Sequence, residues 1–152
     1  MSTDDFFAFW NKKIKDNYLE PTSKMPVACG LLACGFARTL GDEGRNWEVI
    51  CFYRREYNEA LTPAPYPHLS WYGHVVAMSD GVIFDPALNT PKDIESYKRE
   101  MFPGQDVFFR HMEPVVSGEN AYVDMALPQA ELPGRAGVAR PSMAAKCHGL
   151  CD

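Results

Sequence analysis

Lysine and arginine never form a run longer than two in this 152-residue chain. Fifteen basic residues are scattered among twenty acidic ones, for a formal net charge of −5. A protein that binds nucleic acid needs a basic surface to displace counterions from phosphate, so nucleic acid is not expected as a partner. Long apolar runs are missing too. No stretch approaches the ~20 residues that cross a bilayer, and no membrane partner is expected. The opening "MSTDDFFAFWNKKIKDNYL" has acids where a secretory leader needs basic residues, and no long apolar core follows them. The expected compartment is the cytoplasm, or another cell reached by injection or a non-classical route.

Other signatures are absent as well. "GDEGRN" lacks the Lys-Ser/Thr of a phosphate-binding loop. There is no internal repeat. Cysteine is scarce and odd in number: Cys29, Cys34, Cys51, Cys147 and Cys151 leave at least one thiol unpaired within the chain. That fits a reducing compartment better than a disulfide framework. "KCHGLCD" offers Cys147, His148 and Cys151, three ligands where a structural zinc needs four. No metal and no other cofactor is expected.

What is present describes a globular enzyme-sized domain. Hydrophobic residues make up 46% and aromatics 12% of the chain, too apolar for disorder. Phe6, Phe7, Trp10 and Ile14 recur at helical spacing, which predicts an amphipathic helix over residues 4–18. "LEPTSKMP" reads as a loop, and "ACGLLACGFARTLG" (28–41) as a buried helix closed by Gly41. "WEVICFYRR" (47–55) reads as a strand, and the proline-rich "EALTPAPYPHLS" as a loop. "WYGHVVAM" and "VIFDPA" flank Asp80-Gly81, a strong hairpin signal. Thr90-Pro91 is expected to cap a helix over "KDIESYKREMF". Two further strands are expected, over 105–115 and "NAYVDMAL". The order predicts an α+β fold, helices packed on a mainly antiparallel sheet. The catalytic domain spans 1–127 on this reading. Residues 128–152 form a flexible tail, dispensable for folding unless Cys147 or Cys151 docks onto the domain.

Three residues stand out for chemistry. A thiol becomes a nucleophile as thiolate, which a helix N-terminus and a nearby histidine favour. Cys29 opens the buried helix, and Gly30 after it lets a substrate backbone approach closely. Counting back from Asp80-Gly81 pairs Ser79 with Val82, Met78 with Ile83, Ala77 with Phe84 and Val76 with Asp85. His74 shares a face with Val76, so it lies diagonal to Asp85, within reach of a hydrogen bond. A carboxylate there fixes the imidazole tautomer so that the other ring nitrogen can take a thiol proton. Cys34 is the alternative nucleophile. Five residues amount to about 500° of rotation, so the two thiols point roughly 140° apart and only one can face a given histidine. His68 and His111 have no evident partner.

At Cys29, "WYGHVV" and "VIFD" the chain resembles the papain and transglutaminase-like superfamily. Within it the motifs are closest to protein N-terminal glutamine amidohydrolase and, more loosely, to bacterial effectors that deamidate glutamine. That family has a Trp three residues before its catalytic His, two valines after it, and an Ile-aromatic-Asp closing the next strand. The resemblance implies a papain-like fold and a Cys29–His74–Asp85 triad that deamidates glutamine in a peptide or protein. The family also places a cysteine five residues before its nucleophile, which would nominate Cys34. Against this, a helix starting at Cys34 has barely two turns before Gly41. The triad alone would equally serve a cysteine protease or a transglutaminase, and a non-catalytic α+β binding module could retain the same fold. Asn17 and Ser23 are candidate second donors to an oxyanion.

Overall fold

In the computed structural model the described residues are 1–18, 29–55, 59–117 and 120–124, and beyond Met112 only strand backbone is described. The expected tail, residues 128–152, and the loop at 19–26 lie outside them. The fold is α+β. Its helices are α1 (Thr3–Tyr18), α2 (Cys29–Asp42) and α3 (Ile94–Met101). Its strands are β1 (Glu48–Arg54), β2 (His74–Ser79), β3 (Val82–Phe84), β4 (Lys92–Asp93), β5 (Val107–Ser117) and β6 (Asn120–Asp124). They form one six-stranded sheet in the order β4-β3-β2-β1-β5-β6. Every pairing is antiparallel.

The central strands are buried on both faces, as a sheet clad on two sides requires. Every residue of β2 is buried, as are Val49 to Phe52 of β1. One face carries Ile50, Phe52, Val76, Met78 and Ile83, packed with Tyr97 and Met101 of α3 and with Leu61 and Trp71 from the long loop. Ala77 and Phe84 belong to a second cluster, with Phe36 and Leu40 of α2 and Phe7 of α1. Ile14, two turns after Phe7, joins the first cluster.

Two contacts join the start of α1 to the end of α2. The Thr3 hydroxyl donates to Thr39 Oγ1 at 3.0 Å, and the Thr3 N–H to Glu43 Oε1 at 2.7 Å. The helices therefore run antiparallel. Their close approach depends on Gly35, where an added Cβ would sit 2.4 Å from Phe6 Cζ. The Phe6 ring is itself held edge-on against Phe36, centroids 4.7 Å apart, so it has little freedom to retreat. Gly35→Ala gains up to ~1 kcal/mol of helix propensity. Overpacking costs about 1–3 kcal/mol and should win. A lower urea midpoint is expected, whereas an unchanged or higher one would mean that Phe6 yields freely.

The hairpin follows its turn. Asp80 and Gly81 both take positive φ, 50° and 79°, as a type I′ turn demands. The first three pairs counted from the turn form, Ser79–Val82, Met78–Ile83 and Ala77–Phe84, and β3 ends at Phe84, before the expected Val76–Asp85 pair. The third helix starts later than Thr90-Pro91 implied. Lys92 and Asp93 first pair with Ile83 and Val82 as β4, keeping the chain extended. Asp93 is the N-cap instead, its side chain accepting from the Ser96 N–H at 2.9 Å.

Candidate active site

The end of β3 and the start of β2 bring two buried polar groups together. One step past the Ala77–Phe84 pair lies Asp85, diagonal to His74 on the same face. Both residues are only 4% exposed. His74 Nε2 and Asp85 Oδ2 are 2.7 Å apart, the bond that the hairpin count implied.

Three donors converge on this carboxylate. Oδ2 also accepts from the Tyr97 hydroxyl, and Oδ1 from the Ala87 N–H at 2.9 Å. Burial by itself would push the Asp85 carboxyl up. The neighbouring His74 charge, then the hydrogen bonds from His74, Tyr97 and Ala87, outweigh it and hold the group below its ordinary range. The site therefore keeps a buried anion where an imidazolium would need one.

His74 is held on its face as well. The Trp71 indole stacks on the imidazole, centroids 4.2 Å apart and planes 14° from parallel. Trp71 is fixed by a two-way backbone bridge to Leu61, at 2.6 and 2.8 Å. The turn after Asp85 is clamped from α1, where the Asn11 amide donates to the Pro86 and Leu88 carbonyls at 2.9 and 2.7 Å. Tyr66 donates to the Ala87 carbonyl at 3.3 Å.

Cys29 is the first residue of α2, buried, and it lines one pocket together with His74 and Asp85. The rest of the lining is largely apolar, with Ile14, Leu32, Phe36 and Trp71 among it. Cys34 is not among the lining residues. Its thiol is pushed up to about 11, mainly by burial and only partly offset by Arg38. Such a thiol is almost wholly protonated at neutral pH and a poor nucleophile. The helical rotation that separates the two sulfurs is thus expressed as two different environments.

The oxidation state of Cys29 corrects the expectation of a free thiol. Its sulfur is in a disulfide, whereas Cys34 and Cys51 are free thiols. A thiolate at Cys29 therefore requires reduction first.

The remaining candidates fall elsewhere. His111 is exposed, 3.8 Å from Glu48, and His68 is exposed beside Tyr66 in the long loop. Asn17 donates to the Lys13 carbonyl of its own helix at 2.7 Å. Ser23 and the Cys147, His148, Cys151 motif lie outside the described residues. Among the described residues no three His, Cys, Asp or Glu side chains gather as metal ligands. Nor is any helix long and apolar enough to cross a membrane. Sequence reading missed Asn11, Tyr66 and Tyr97. A tyrosine on an otherwise charged helix was the available signal for the last.

Comparison with protein-family models, curated proteins and solved structures finds no match for this chain.

Proposed function

We propose that the chain is a thiol amidohydrolase of papain-like design that deamidates a glutamine side chain in a peptide or protein. The observation that carries this reading is the buried His74–Asp85 pair sharing one pocket with a cysteine at the start of a helix. With Nε2 committed to Asp85, proton exchange with the thiol falls to His74 Nδ1. The reduced Cys29 gives its proton to His74, and the thiolate attacks the carboxamide carbon. His74 returns the proton to the departing ammonia, leaving a thioester on Cys29. Water, deprotonated by His74, then attacks the thioester carbon. Glutamate is released, and the thiol regains its proton. The Cys29 backbone N–H, at the positive end of α2, supplies one donor to the oxyanion of both tetrahedral intermediates.

Glutamine comes from the resemblance. A protease or a transglutaminase would share the first half of this sequence and differ in leaving group or acceptor. A second reading is favoured by the disulfide. If Cys29 serves as a permanent cross-link, the pocket is that of a binding module.

The two separate under reductant. Ammonia release from glutamine peptides, with free and blocked N-termini, is expected only after reduction. It should fall at least tenfold when the protein is reoxidised. New peptide termini without ammonia would mean a protease, and amine incorporation a transglutaminase. Silence in both redox states supports the binding module. The proposed working compartment is accordingly a reducing one such as the cytoplasm.

A further inference from the structure

Tyr97 is fully buried on α3 and is not among the residues lining the pocket. Its ring stacks on Phe52, centroids 5.1 Å apart and planes 28° from parallel, and meets Phe102 edge-on at 6.1 Å. Phenylalanine would satisfy all of that packing. The hydroxyl is the part that needs a reason, because a buried O–H costs free energy unless it is bonded. It is bonded to Asp85 Oδ2, the same oxygen that faces His74 Nε2.

We propose that Tyr97 is a positioning residue, whose hydroxyl aims the Asp85 carboxylate at His74. The carboxylate is otherwise tethered to backbone through Oδ1 alone, by the Ala87 N–H. That bond restrains rotation about Cβ–Cγ from one oxygen only. A second donor on Oδ2, delivered by a helix packed on the opposite side from α2, fixes the plane and hence the angle at which Oδ2 meets the imidazole. Hydrogen bonding to the charged form also keeps the carboxylate an acceptor, so that it orients His74 and does not take its proton. The inference rests on the proposed Cys29–His74–Asp85 centre but does not depend on glutamine as its substrate.

The test uses reduced full-length protein and two readouts, iodoacetamide alkylation of Cys29 at pH 6 and turnover of a glutamine peptide. Tyr97→Phe is expected to slow alkylation by about tenfold, the scale of one hydrogen bond to a charged group. It should lower kcat by a similar factor with KM within twofold. In an Asp85→Asn background it should add nothing, because the residue acts through that carboxylate. A merely structural role would instead give the same loss with or without Asp85. Equal rates in Tyr97→Phe and the parent, or additive losses in the double variant, overturn the inference. If alkylation behaves as expected while no peptide is turned over, the deamidase reading fails and the positioning role stands.

Discussion

Replacing Cys29 by alanine is expected to abolish ammonia release, with a loss on the order of 10⁴-fold or more, since nothing else in the pocket can form the acyl intermediate. Cys34→Ala should retain most of the activity. The contrast follows from where one helix places two sulfurs. Cys29 sits at the first turn and lines one pocket with His74. Cys34 is buried, with its thiol pushed up to about 11. Its removal is a core truncation with a stability cost of about 1 kcal/mol, and not a chemical loss. Initial rates and urea midpoints of the two variants separate these effects. An inactive Cys34→Ala beside an active Cys29→Ala would reverse the assignment and vindicate the amidohydrolase spacing.

His74→Ala should be inactive yet folded, because the loss is of a proton acceptor at the pocket wall. General base catalysis is worth about 10²–10⁴-fold, which sets the expected drop. The vacated ring also leaves the buried Asp85 anion with Tyr97 and Ala87 as its remaining donors. Stability should therefore fall too, and circular dichroism is needed to show that the fold persists. Asp85→Asn should lose less than His74→Ala. The amide keeps the volume and the contact, but it can present an N–H to His74 Nε2 and select the tautomer that protonates Nδ1. The imidazole remains present, in the wrong protonation state for most of the time. Full activity in either variant would refute the triad.

How much of this could be read from the sequence differs by element. The hairpin register was legible because Asp80-Gly81 permits one tight turn and the side-chain period of two does the rest. The His74–Asp85 contact came with it. The start of α3 was not legible. Thr90-Pro91 is a good local cap, but pairing of Lys92 and Asp93 with β3 is a long-range event that overrides local preference. Tyr97 was hidden for a related reason, since its hydroxyl gains meaning only once α3 lies over the end of β3. Asn11 reaches across from a helix more than seventy positions away in sequence from the carbonyls it holds. The oxidation of Cys29 was beyond reach because cysteine spacing does not determine which sulfurs meet.

The most direct measurement is to quench the reduced protein in acid during turnover of a glutamine peptide and map the adduct by peptide mass spectrometry. The account predicts a glutamyl thioester on Cys29, absent from Cys34 and Cys51, accumulating in step with released ammonia and lost on addition of hydroxylamine. An adduct on Cys34, or ammonia release with no adduct on any cysteine, would contradict it.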